Sequence, residues 1–147
     1  MMMDAAQDTL EMQASAQDSL KQAYLFLSFG RYQEAIDACD TAARLAPKHP
    51  LAPTLKGSFE MSVGRVGDAL GTLRAVTRRH PKYPLAWLYF AEACFLDGRS
   101  AAAQRALSEL DKLPLTDALL EFRDELVQVW SSVAQDVIPP PLVADIS

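Results

Sequence analysis

Histidine and cysteine are scarce in this 147-residue chain, with two of each. His49 and His80 both stand next to a proline, in expected connections between helices. A loop histidine there is ordinarily solvated, so acid–base catalysis has no evident starting point. Cys39 and Cys94 are too few for a disulfide framework and lack the paired spacing of a zinc site. They read as small buried hydrophobes. Neither a GxSxG elbow nor a phosphate-cradling glycine loop occurs. The chain is therefore expected to be no enzyme and to carry no cofactor and no metal.

Net positive charge is also missing. The formal charge is -5, which argues against a surface that neutralises phosphates. One local basic stretch, Arg74, Arg78, Arg79, His80 and Lys82, lacks interleaved aromatic residues that would stack on bases. It falls where a helix should end, and cations there complement the exposed carbonyls. No nucleic-acid partner is expected. Long apolar runs are absent too: the stretch from Pro84 to Leu96 is too short to span a bilayer and carries Glu92. The first 20 residues include Asp4, Asp8, Glu11 and Asp18, unlike a secretory leader. Membrane insertion is not expected, and the expected location is cytoplasmic. What remains is a chain that is 50% hydrophobic and 22% charged, enough to bury the core of one domain.

That domain is repetitive. Gly30, Gly64 and Gly98 are 34 residues apart, and each precedes an arginine: Arg31, Arg65 and Arg99. Ala35, Ala69 and Ala103 keep the same spacing, as do the small residues Ala23, Gly57 and Ala91. Pro47 and Pro81 follow it, and Pro114 comes one residue early. Each residue type has a role in a helical hairpin. Glycine permits a positive-φ turn between two helices. Small residues let antiparallel helices approach, and proline ends the second helix. One such hairpin cannot bury its apolar face alone, whereas stacked neighbours can. The arginines beside the glycines read as solvated charge or local capping.

The period, with Tyr32, Ala35, Ala42 and Pro47 in the first unit and Trp87, Ala91, Gly98 and Ala103 in the third, resembles the tetratricopeptide repeat family. The resemblance covers residues 16–117, in units 16–49, 50–83 and 84–117. It implies an all-α fold: an α-solenoid of three helix-turn-helix repeats, a non-enzymatic module for protein–protein interaction. The middle unit departs from the family pattern. Lys56 and Glu60 occupy usually apolar places, which places them on an exposed face as an i,i+4 pair. Pro53 stands where tryptophan is typical, so the helix there is expected to start late, near Pro53.

A solenoid needs its open end covered. Asp117 can cap a further helix, over residues 118–135, whose apolar stripe is Leu119, Phe122, Leu126, Val129 and Val133, with Trp130 beside it. Residues 136–147 form a Pro-rich tail containing Pro139, Pro140 and Pro141. Residues 1–15, an N-terminal extension, either lengthen the first helix or mediate self-association.

In the family it resembles, the first helix of each unit lines a concave groove. Carried over by position, the groove residues are Leu20, Tyr24 and Leu27, then Leu51, Leu55 and Met61, then Leu85, Leu88, Tyr89 and Phe95. Family members that grip acidic chaperone tails carry lysine, asparagine or arginine at places held here by Leu20, Tyr24, Leu55, Leu85 and Tyr89. A hydrophobic client segment suits these residues better. The same side chains also suit intra-repeat core, or a surface covered by one of the terminal segments.

Three units, acidity, a final helix and an apolar groove also resemble the class II, translocator-type chaperones of type III secretion. Ala91 and Glu92 stand before Gly98 as that group's third repeat has them, although its cysteine is displaced to Cys94 and its leading segment is longer. This resemblance implies an export-bound hydrophobic protein client and leaves a homodimer open. A structural scaffold that oligomerises through its outer face or termini is the alternative.

Overall fold

The computed structural model describes the backbone of residues 2–137 and the side-chain surroundings of residues 6–132. The described residues form seven α-helices and no strand: α1 (Met2–Ser28), α2 (Tyr32–Leu45), α3 (Leu51–Ser62), α4 (Val66–Arg79), α5 (Pro84–Leu96), α6 (Ser100–Asp111) and α7 (Asp117–Val137). Each of the first six packs against its chain neighbours, while α3 also touches α5 and α5 touches α7. The odd-numbered helices thus make one layer and α2, α4 and α6 the other. The stretch before residue 16 continues α1 without a break, the first of the two alternatives read from the sequence. The Pro-rich tail from residue 138 onward lies outside the described residues.

Three identical turns set the hairpins. Gly30, Gly64 and Gly98 have φ of 75°, 84° and 78°, a left-handed conformation that glycine adopts without a Cβ penalty. In the first turn the Gly30 N–H bonds the Leu27 carbonyl and the Arg31 N–H bonds the Phe26 carbonyl, at 3.1 and 2.8 Å. These two bonds are the Schellman closure of a helix C-terminus. The Arg31 carbonyl then accepts from Ala35 at 3.0 Å, opening α2. The backbone of one arginine therefore closes one helix and starts the next. Its side chain bonds Glu34 at 2.6 Å, and in the later turns Arg65 pairs with Asp68 and Arg99 with Asp97.

Close approach explains the small residues. Ala23, Ala35, Ala69 and Ala91 have no exposed surface. A Cβ on Gly57 would stand 2.5 Å from Leu73 Cγ, so the Leu73 side chain of α4 lies directly on the α3 backbone there. Leu73, Leu88 and Leu110 are the largest wholly buried side chains, within a core that runs from Met61 to Trp130. A second cluster joins Ala23, Ile36, Cys39, Leu55 and Phe59.

The middle unit differs from expectation. Its first helix starts at Leu51, two residues before Pro53, because a first-turn residue has no intrahelical acceptor to lose. Thr54 Oγ1 donates to the Pro50 carbonyl at 2.7 Å and steadies that turn. Lys56 and Glu60 do not form an exposed pair. Lys56 Nζ reaches Asp40 of α2 at 2.9 Å, and Glu60, only 5% exposed, accepts from Thr72 Oγ1 of α4 at 2.7 Å. Each tail finds a nearer partner on the helix it faces.

At the far end, Thr116 rather than Asp117 caps α7: its Oγ1 accepts from the Leu119 N–H at 3.2 Å. Asp117 sits in the first turn, where its charge favours the helix N-terminus. Leu119, Phe122, Leu126 and Trp130 face the core. Val129 is 57% exposed, contrary to the expected stripe, because Trp130 takes the inward place. The side chain of Val133 lies outside the described residues.

Candidate protein-binding groove

Helix α5 is apolar on every side, as befits a helix with neighbours all round. One line along it is less covered. Leu85, Tyr89 and Glu92 are half-buried and Leu96 is 55% exposed, at spacings of four, three and four residues. Those spacings make one helical stripe. Ala86, Leu88, Ala91, Ala93 and Cys94 are buried, while Trp87 and Phe90, on the side that Arg74 of α4 covers, are half-buried like most of the stripe.

The stripe extends onto its neighbours. Tyr89 meets Ser58 of α3 on one side and the Phe122 ring of α7 on the other, edge-on at 5.7 Å. Tyr24 of α1 is half exposed and packs edge-on against Phe59 at 5.4 Å. On α7, Arg123 makes two bonds to Asp111 of α6, at 2.7 and 2.8 Å, and so faces the even-numbered layer. Helical geometry then places Glu125 and Val129 on the other flank of Phe122. Both are exposed. Where α1 meets the α2–α3 connection there is a separate cleft of about 650 Å³, lined by Met12, Gln17, Leu20, Leu45, Lys48 and Leu51 among others.

The ten residues carried over from the sequence separate here. Tyr24 is exposed on α1, and Leu85 and Tyr89 lie on the α5 stripe. Leu20, Leu27 and Leu51 are half-buried against the first-unit cluster. Leu55, Met61 and Leu88 are 5%, 8% and 0% exposed, taken up by core packing, and present almost nothing to a ligand. Phe95 is half-buried and stacks on Trp130 of α7. Ser58, Glu92 and Leu96 were not singled out as groove residues. Glu92 carried the available signal, as the one charge inside the α5 apolar run.

Burial shapes the electrostatics. It raises the Tyr24, Tyr83 and Tyr89 pKa values, with Tyr89 and Cys39 adding to Tyr24, Tyr89 and Tyr24 adding to Tyr83, and Glu92 adding to Tyr89 against the opposing Ser58 hydroxyl. All three stay neutral hydrogen-bonding phenols. Burial alone raises Glu92. No lysine or arginine acts on any of the four. The surface offers apolar contact, phenol and serine hydroxyls, and unneutralised carboxylate.

His49 Nδ1 accepts the Leu51 N–H at 3.1 Å, a capping role. Among the described residues no histidine, cysteine or carboxylate group is gathered as a metal would require. No described helix is long and apolar enough to cross a membrane.

Comparison with known proteins reaches the same architecture. The Sgt2 TPR domain from Aspergillus fumigatus is 19% identical, with TM-score 0.65 over 85% of this chain and 85% of that one. The TPR2B domain of yeast Sti1, solved in a pHsp70 complex, is 14% identical, with TM-score 0.68 over 84% of this chain and 98% of that one. The first TPR of Spaghetti, bound to the HSP90 peptide SRMEEVD, is 17% identical, with TM-score 0.64 over 81% and 95%. No curated protein matches the sequence. A family model described as tetratricopeptide repeat matches residues 4–50 and 56–114, most of the sequence. The chain belongs to the tetratricopeptide repeat family, whose domains mediate protein–protein interaction.

Proposed function

We propose that this chain is a non-enzymatic adaptor or chaperone whose concave groove holds an apolar segment of a client protein. The observation that carries the reading is the stripe of α5 formed by Leu85, Tyr89, Glu92 and Leu96, which runs from half-buried side chains to a leucine that is 55% exposed. Side chains of this type, left open in a row, suit a segment with hydrophobic anchors. The Sti1 and Spaghetti domains were solved with chaperone partners. Leu20, Tyr24, Leu55, Leu85 and Tyr89 supply none of the cations an acidic tail would need, so the client here is of another kind.

The finer reading is a class II chaperone of type III secretion, keeping an export-bound hydrophobic protein soluble in the cytoplasm. Ala91 and Glu92 ahead of Gly98, the three units and α7 support it. A scaffold that self-associates is the second reading. It is favoured by Leu25 near the end of α1 and Phe29 in the turn that follows, 58% and 76% exposed.

The test replaces Tyr24 and Leu96 with serine. Both are at least half exposed, so helical content should be retained. Loss of client capture supports the groove, and unchanged capture by a folded double variant contradicts it. Sedimentation across concentrations decides the scaffold reading, which a strictly monomeric chain removes.

A further inference from the structure

The α5 stripe carries no cation, and the exposed lysine of α1, Lys21, lies beside Tyr24 on a different helix. Arg74, Arg78, Arg79 and Arg105 lie on α4 and α6, Lys56 is held by Asp40, and Arg123 is held by Asp111 on the side away from the groove. Glu92 stands in the α5 stripe, and Glu125 is exposed on the flank of α7 opposite Arg123. Neither makes an ion pair among the described residues, whereas seven other acidic side chains do so. Glu92 is partly withdrawn from water between Tyr89 and the α5 neighbours, and that withdrawal is what shifts its titration. A half-buried carboxylate with no partner among the described residues gains most from a cation delivered by something else.

Resting on the groove reading above, we infer that Glu92, with Glu125 at the rim, selects client segments carrying a lysine or arginine among their apolar anchors. Tyr89 and Leu96 flank Glu92 along the stripe and take the apolar neighbours of that cation. The stem of a lysine or arginine is itself apolar and lies well against such side chains while its head reaches a carboxylate. Selectivity then has the opposite sign from recognition of an acidic tail: an acidic segment meets like charge at Glu92 and finds no cation along the stripe.

The experiment uses the full chain against a phage-displayed random dodecapeptide library, followed by fluorescence anisotropy with the selected peptides made synthetically. The expected selected set combines several Leu, Ile, Phe or Met residues with a lysine or arginine at a recurrent place. Glu92→Gln should weaken those peptides about tenfold. Glu125→Gln should weaken them less, and Glu92→Lys should shift the selected set toward acidic residues. Replacing the peptide cation with norleucine should cost the same factor in the parent chain and almost nothing in Glu92→Gln. Apolar peptides with no charge preference, displaced by Tyr24→Ser but indifferent to Glu92→Gln, would overturn the cation inference while leaving the groove intact. Peptides indifferent to Tyr24→Ser and Leu96→Ser as well would overturn both.

Discussion

Phe95 lies flat against Trp130, with ring centroids 4.4 Å apart and planes within 11° of parallel. The contact joins the last turn of α5 to α7 and closes the open end of the stack. It also explains why Phe95, read from its position as a groove residue, is drawn toward the core.

Trp130→Ala should therefore destabilise the chain by about 3 kcal/mol, the range for removing a large buried aromatic. Val129→Ala, one residue away and exposed, should change stability by less than about 0.5 kcal/mol. Urea denaturation followed by circular dichroism measures both. Equal effects would contradict the placement of α7.

Gly57 and Gly71 should respond oppositely to alanine. At Gly57 the new methyl meets Leu73 at 2.5 Å, and crowding a closed crossing costs about 1–3 kcal/mol. Improved helix propensity, worth up to about 1 kcal/mol, does not offset that fully. At Gly71, with nothing within 4 Å, only the propensity gain remains. Thermal melting should fall for Gly57→Ala and rise for Gly71→Ala.

The repeat was legible because it rests on residues with narrow conformational roles. Glycine at positive φ and alanine at a crossing leave their mark at fixed spacing, so the hairpins and the family could be read directly. The groove was less legible because α5 is apolar all round and periodicity cannot tell its open side from its covered ones. Only contacts with α3 and α7 separate Tyr89 from Leu88. Likewise Glu60 read as exposed because charge ordinarily marks solvent. Its acceptor role for Thr72 depends on α4, 12 residues further on, which no local pattern contains.

Glu60 supplies a pH prediction. Burial raises its pKa, with the Thr72 hydrogen bond and Lys56 opposing and Asp68 adding. The folded chain thus holds this proton more firmly than the unfolded one. The group's contribution is fully present below the ordinary glutamate value of 4.5 and is lost as pH rises through the raised value. Glu60→Gln keeps an acceptor for Thr72 and removes that titration. The difference in melting temperature between parent and variant should change across that window and level off above it. Parallel curves throughout would show that Glu60 is not desolvated.

Cys39 should be inert in the folded chain. Burial first, then Asp40 and Glu60, push its thiol up to about 12 against the opposing Lys56. The thiolate is the reactive form. Ellman's reagent at pH 8 should leave Cys39 unmodified until denaturant is added. Rapid native labelling, located at Cys39 by peptide mapping, would contradict the packing of α2 against α3.

The most direct measurement of groove function is photo-crosslinking from single sites in cells that make the protein with its natural clients. A benzoylphenylalanine at Tyr24 or Leu96 should yield the same client adduct, and one at Ser108 on the outer helix α6 should yield none. Adducts from Ser108 with none from Tyr24 or Leu96 would place the binding face on the other layer and contradict the groove.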